Sequence, residues 1–415
     1  MAGPSPPPSV VALAALAAAL LIGAPDAQAS RGMEVALSDD GIFVHQSYYG
    51  RRRALRRARE LGVTRLRVML EWAGALREQA KRRKPPKRPL YHLADIDDAI
   101  DAAAAAGIRV QLTLSGPAPR YATSNGRIGP WRPDPRMWAD FVRTMARHFE
   151  GRVDRYSIWN EPNYKSWLAP LWKGPALYRR LYVKAYKAIR SVDPDAAILI
   201  GETSPHNSPG RATAPLKFLR RAACVNREFH LDRRCAKRSP APGGPLRADG
   251  YAQHPYNFLY PPSHREPGQD NVTIGTVGRL RYTLDHLRSA RALVGSRPAM
   301  PIYLTEFGYF VSGRRKISEK RQAEWLEKAY KLALRTPRVR QLLQWGLVVK
   351  PKGYPGDYFN TAIIDRNGSK RKAFNRLREW AKRAMRRGEI RRPGGPIDLP
   401  PARHSPAAGA AAAAR

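Results

Sequence analysis

Short apolar runs alternate along the chain with longer stretches in which apolar positions recur every three or four residues. The short runs read as strands and the periodic stretches as amphipathic helices. Gly41–Gln46 is the first strand candidate, followed by the arginine-rich helical stretch 52–61. Thr64–Trp72 precedes a basic loop and the helical stretch 96–107. Ile108–Leu114 leads through a Gly/Pro loop to 135–151, and Val153–Asn160 precedes 176–192. Ala196–Glu202 precedes a cysteine-bearing segment. Ala248–His254 precedes 278–294, Met300–Gly308 precedes 319–335, and Val339–Val349 precedes a last loop and the helical stretch 372–387.

These strand candidates are near-continuous Val/Ile/Leu runs, as parallel strands covered on both faces are. Eight such β/α units predict a (β/α)8 TIM barrel, an α/β fold with a single catalytic domain. An open doubly wound sheet is the alternative, but it wants a Gly-rich phosphate turn after its first strand, and the chain has none there. The barrel domain is expected over 30–390. Residues 391–415 are rich in Pro, Gly and Ala with no buried pattern and read as a disordered tail.

The first 29 residues read as a secretory signal. Val10–Ile22 is an apolar stretch, and Ala27-Gln28-Ala29 fits a small-x-small cleavage pattern, although no Lys or Arg precedes the apolar run. The stretch is shorter than the ~20 residues a membrane span needs. A secreted, extracellular, monomeric protein without a stable membrane span after cleavage is expected. Cys224 and Cys235 are the only cysteines. In an exported chain, two cysteines eleven positions apart favour a local disulfide over two free thiols.

Composition adds one further fact. With 74 Lys+Arg against 34 Asp+Glu, the formal charge is +40. Such an excess suits an acidic partner, with an anionic cell-wall or extracellular polymer as the candidate; the alternative is general basicity of a solvated surface. The basic residues are scattered, with no nucleic-acid module and no aromatic–basic interleaving. No nucleic-acid partner is expected. Histidines do not fall at metal-ligand spacing, so neither a metal nor a cofactor is expected.

In a barrel of this kind, chemistry sits at the C-terminal ends of the strands. The polar residues that end the apolar runs are few. They are Arg67, Glu71 and Trp72, then Asn160-Glu161, Glu202, His254-Pro255-Tyr256, Glu306 and Trp345. Two glutamates at one pocket mouth suit glycoside cleavage, which needs one carboxylic acid for the leaving oxygen and one carboxylate for attack or for activating water. Glu161 is the candidate acid. Glu306 is the candidate anion, provided that Tyr256 and Arg67 steady its charge.

The motifs that carry these residues are "IWNEPN", "HPY", "LTEFG" and "QW", with "TAIIDRNGSKRKAF" at Thr361–Phe374. Together they resemble glycoside hydrolase clan A, the cellulase-like (β/α)8 superfamily that includes families 5 and 39, over roughly residues 36–385. The resemblance implies a carbohydrate substrate, Glu161 as acid/base and Glu306 as nucleophile in a retaining double displacement. It also implies Asn160 at the sugar 2-hydroxyl, Tyr256 and Arg67 orienting Glu306, His254 lining the pocket, and Trp345 as a stacking platform. Structural alternatives stand beside each role. Asn160 could tie a loop, His254 and Trp345 could be core, Arg67 could pair with Glu71, and Glu202 could cap a helix or contact substrate. A non-catalytic carbohydrate- or cell-wall-binding barrel is the rival reading.

Overall fold

The computed structural model of the protein describes residues 31–233, 235 and 244–402. The signal segment 1–29 and residues 403–415 of the expected tail lie outside the described residues. Eight parallel strands close into a barrel: β1 (Glu34–Ser38), β2 (Val63–Glu71), β3 (Arg109–Ser115), β4 (Arg155–Ile158), β5 (Ala197–Thr203), β7 (Gly250–Gln253), β9 (Ile302–Leu304) and β10 (Val339–Trp345). Two further strands, β6 (Leu246–Ala248) and β8 (Leu293–Gly295), pair with each other outside it. β1 closes the ring by pairing with both β2 and β10. A main helix follows each barrel strand. Their buried faces meet the strands' outward apolar residues; in β2 these are Leu66, Val68 and Leu70.

One strand candidate was misplaced. Gly41–Gln46 does not enter the sheet; Asp40–Phe43 forms a helical turn, and the first strand is "EVALS" at 34–38. Both segments are short apolar runs, and local pattern does not separate them. What decides is that Glu34–Ser38 has partners on both sides in the closed ring.

The strands also carry more polar side chains inward than near-continuous apolar runs suggest. In β2 the pleat turns Arg65 and Arg67 away from the apolar face that holds Leu66 and Val68. Near the bottom of the barrel, buried Arg65 reaches Glu34 at 3.2 Å and Asp154 at 2.6 Å. Arg155 donates to Glu34 at 2.7 Å and to Gln341 at 2.9 Å. Burial opposes ionisation of Glu34, but Arg65 and Arg155 hold its carboxyl down at about 2. Each charge in this layer is paired, which is the condition for burying it.

Part of the segment expected to be a tail is placed against the barrel. Residues 391–402 run across the bottom of the barrel. Arg391 N–H donates to Met33 O at 3.1 Å, Ile397 N–H donates to Ala104 O at 3.0 Å, and Arg59 donates to Gly394 O at 3.0 Å. Ile397 and Leu399 cover Ile100, Ala104 and Ile108. Gly107 permits the approach, because a Cβ there would sit 2.4 Å from Gly394 O and its φ is +67°. A Pro/Gly segment cannot build its own helix or strand, but it can lie on a surface that supplies backbone partners.

A short hairpin precedes the last helix. Ile364 and Lys370 form an antiparallel bridge around Gly368, ahead of the helix Lys372–Arg386. Cys224 and Cys235 are joined by a disulfide with a Cα–Cα distance of 5.4 Å. Among the described residues, no helix is long and apolar enough to cross a membrane.

Candidate active site

Strand ends deliver the site. β4 stops at Ile158, and the next three residues leave regular geometry: Trp159 has φ +70° and Glu161 has φ +38°. Non-glycine residues rarely adopt this region, and it persists only where the surroundings enforce it. Here they do. Trp159 N–H donates to Leu114 O at 2.7 Å, its indole N–H donates to Trp167 O at 2.9 Å, and Glu161 N–H donates to Glu202 O at 2.8 Å. Glu202, at the end of β5, has φ +50°. Gly201 beside it lets β5 press on β7, since a Cβ there would sit 2.4 Å from Ala252 O.

The two candidate carboxylates meet. One oxygen of Glu161, one of Glu306 and a ring nitrogen of His254 all lie within 4.8 Å of one another. Their surroundings differ. Glu306 Oε1 accepts from Arg67 Nη1 at 2.8 Å, and Oε2 accepts from the Tyr256 hydroxyl at 3.1 Å. The Glu161 side chain is about one-fifth exposed, and its Oε1 faces His254 Nδ1 at 3.1 Å. Arg67 does not pair with Glu71. It donates through Nη2 to Asn160 Oδ1 at 2.8 Å and lies 3.3 Å from Glu202. That contact also orients the Asn160 amide.

Glu202 is the residue whose role the strand-end pattern left open. It neither caps a helix nor reaches solvent. Fully buried, it accepts from His254 Nε2 at 2.6 Å, from Thr305 Oγ1 at 2.7 Å and from Gln111 Nε2 at 3.2 Å. Burial works against its charge, yet Arg67 and His254 hold its carboxyl down at about 2. For His254 burial works against the imidazolium, but Glu306, Glu161 and Glu202 around it raise it to about 9. The ring is therefore cationic at neutral pH and donates from both nitrogens. Burial is the largest influence on Glu306 and pushes its carboxyl up; His254 and Arg67 oppose it, while Glu161 and Glu202 add to it. Tyr256 is raised well above 10 by burial and by Glu306, so its hydroxyl stays a donor.

Glu161, His254 and Glu306 have the spacing of a metal cluster. Their chemistry argues otherwise: a protonated imidazole and a guanidinium already occupy the positions next to the carboxylates, and a divalent ion would meet two cations.

The network has a pH window. His254 lies above its ordinary 6.5, so its contribution is complete below 6.5 and is lost as pH rises through about 9. Glu202 lies below its ordinary 4.5, so its contribution is complete above 4.5 and is lost as pH falls toward about 2. Both are whole only between 4.5 and 6.5. At about 1.4 kcal/mol per unit, the His254 contribution is on the order of 3 kcal/mol. Thermal melting of the wild type should therefore decline from pH 6.5 to 9.5, and His254→Gln should decline less over that range. Parallel curves for the two proteins would refute this account.

Trp345 is half-buried at the end of β10, and its N–H donates to Phe307 O at 2.7 Å. It lines a cleft of about 580 Å³ with Asp40, Glu71, His45 and Lys350. The cleft lies at the ends of β1, β2 and β10, and neither Glu161 nor Glu306 lines it. Asp39 and Asp40 belong to this side and were missed because the first strand was misplaced. Asp39 accepts from Leu347 N–H at 2.9 Å and from the Tyr48 hydroxyl at 2.5 Å. Asp40 accepts from Met69 N–H at 3.2 Å, and burial pushes its carboxyl up to about 7 against the pull of Arg67. "EVALSDD" has the same form as "IWNEP", an apolar run ending on acids, and could have been read the same way.

The chain matches the cellulase model, glycosyl hydrolase family 5, over residues 28–335. No curated protein matches it. Several solved structures share the fold. A family 39 glycoside hydrolase from the gut symbiont Bacteroides cellulosilyticus WH2 superposes with a TM-score of 0.59 at 17% identity, over 85% of this chain and 64% of its own. The exo-beta-1,4-mannosidase Op5Man5 from Opitutaceae bacterium strain TAV5 gives 0.56 at 18%, over 87% and 61%. Xylanase 10B from Thermotoga petrophila RKU-1, in complex with xylobiose, gives 0.52 at 17%, over 85% and 95%. The chain thus spans less than two thirds of the length of the first two. At these identities the likeness establishes the barrel alone. The family model spans most of the chain, including both glutamate-bearing motifs, and by that match the chain belongs to the cellulase family, glycosyl hydrolase family 5.

Proposed function

We propose that the protein is a retaining glycosidase that cleaves a β-linked glycoside by double displacement. One observation carries this reading: carboxylate oxygens of Glu161 and Glu306 lie within 4.8 Å of each other in unlike surroundings. Retaining enzymes hold their carboxyl groups about 5–5.5 Å apart, whereas inverting enzymes leave about 6.5–9.5 Å for a water. Glu306 attacks the anomeric carbon while Glu161 gives its proton to the departing oxygen. The C–O bond to the leaving group breaks as the ester to Glu306 forms. Water then enters, loses a proton to Glu161, and releases the sugar with its original configuration.

The surroundings suit these roles. Arg67 donates to one oxygen of Glu306 and Tyr256 to the other, and both contacts favour the carboxylate that must attack. Asn160, its carbonyl taken by Arg67, offers its N–H groups to the sugar 2-hydroxyl. Trp345 supplies an aromatic face toward the cleft. Export through the 1–29 segment, with the disulfide formed outside the cytoplasm, completes the reading.

The test is stereochemical. A panel of β-aryl glycosides is offered, and the first-formed anomer of any product is followed by NMR. The β-anomer should appear first and then mutarotate. An α-anomer at early times would overturn double displacement. No turnover of any glycoside would favour the non-catalytic binding barrel instead.

A further inference from the structure

A second cavity, about 690 Å³ in volume, lies outside the barrel between the helices Pro215–Ala222 and Val277–Ser289. We propose that it is a separate binding site for an acidic polysaccharide, one whose sugars carry carboxylate or sulfate groups. The choice of a polysaccharide rests on the glycosidase reading; the choice of an anion rests on the cavity alone.

Four arginines line it: Arg220, Arg227, Arg265 and Arg279. Arg220 is spoken for, because it holds Asp270 in a two-point pair at 2.9 and 3.0 Å. Among the described residues, the other three make no ion pair with a carboxylate. Arg227 reaches only the Gln269 amide at 3.3 Å, and Arg279 donates to the Gly268 carbonyl at 2.7 Å. Three guanidinium groups thus face one concavity with a single lining carboxylate, Asp270, which is already neutralised.

The helix Val277–Ser289 begins at the cavity wall as the continuation of the turn Ile274–Thr276, which Thr273 caps, and no acidic residue lies in its first turn. Arginine forks hold carboxylate and sulfate oxygens in pairs.

Two aromatics turn the anion site toward sugar. Tyr282 is 59% exposed at the cavity and lies 6.2 Å from Phe229, ring to ring. A sugar ring can stack on such a face while its acidic group reaches the arginines. The cavity also shares a barrel end with the candidate carboxylates. Ile274, beside the cavity, donates its N–H to Pro255 O at 2.9 Å, and Pro255 lies between His254 and Tyr256. A chain anchored here would lie on the rim of the active site.

Binding is measured by titration calorimetry at low salt, with polygalacturonate as the anionic probe and a neutral, water-soluble cellulose ether as the control polymer. Wild type should bind polygalacturonate, weaken as salt is raised, and ignore the neutral polymer. Arg265→Ser, which removes a group with no ion partner, should weaken binding about tenfold, and Arg265→Ser/Arg279→Ser about a hundredfold. Arg52→Ser/Arg56→Ser, which removes two exposed charges from the helix Arg51–Glu60, should stay within about twofold of wild type. β-Aryl-glycoside turnover should be the same in all four proteins. The proposal is overturned if the double variant binds like wild type or if the Arg52/Arg56 variant loses as much. It is also overturned if the neutral polymer binds equally, or if a single-stranded oligonucleotide is held more tightly through the same arginines. Arginine-dependent polymer binding without any glycoside turnover would defeat the glycosidase reading and leave this site standing.

Discussion

Glu306→Gln should lower β-aryl-glycoside turnover roughly 10⁵-fold, the scale of loss when a covalent nucleophile is removed. The carboxamide has the shape of the carboxylate but cannot attack the anomeric carbon, so the retaining route has no first step. The fold should survive. Arg67 keeps Asn160 at 2.8 Å and Glu202 at 3.3 Å, and Tyr256 keeps its stack against Phe258 at 5.3 Å. Circular dichroism should therefore stay close to wild type, with melting lowered only by the share of the His254 contribution that Glu306 supplies, which separates lost chemistry from lost structure. A slow-turnover 2-fluoro glycoside with a good leaving group gives an independent readout: wild type should gain the mass of one sugar on the peptide containing Glu306, and the variant should gain none. Residual turnover within about tenfold of wild type, or labelling elsewhere, would remove Glu306 from its role.

Glu161→Ala should produce a loss that depends on the leaving group. For an unactivated alkyl or sugar leaving group, the departing oxygen needs a proton, and removing its donor should cost about 10³-fold. A dinitrophenolate leaves without a proton, so the first step should be spared and the second, which needs a base, should become limiting. Azide needs no base. Added azide should restore turnover and give a β-glycosyl azide, through the same ester to Glu306. A uniform loss across leaving groups, without rescue, would mean that Glu161 only shapes the pocket. His254 gives the comparison its scale: it touches Glu161 at 3.1 Å and Glu202 at 2.6 Å, so changing it should alter the pH profile without this dependence on leaving group.

Much of the barrel was legible because a parallel strand covered on both faces leaves a plain trace. "TRLRVMLEW", "IRVQLTL" and "AAILIGE" each hold a strand of the ring. The inward arginines were legible too, in hindsight: in "RLRVML" the residues alternate, and Arg65 and Arg67 fall on the phase opposite to Leu66 and Val68. The first strand was only partly legible: "EVALS" and "GIFVHQ" are equally short and apolar, the acids after "EVALS" are its one local signal, and pairing with β2 and β10 is what chooses between them. The segment 391–402 misled for a related reason. Its composition forbids a self-made element, but Ile397 and Leu399 find cover on the barrel bottom, which no local window contains.

Sequence alone determined the eight-unit plan, the disulfide pair, and the glutamates and aromatics that stand where apolar runs end. These follow from local rules: side-chain period, turn chemistry, and the few polar residues a strand end can carry. Only the tertiary structure decided who meets whom. Arg67 joins Glu306 across 239 positions, and Glu202 becomes the buried counter-ion of His254 and Arg67. Ring closure sets those contacts. A strand's own pattern says which side chains point inward, but which carboxylates share one guanidinium depends on the order and register of all eight strands.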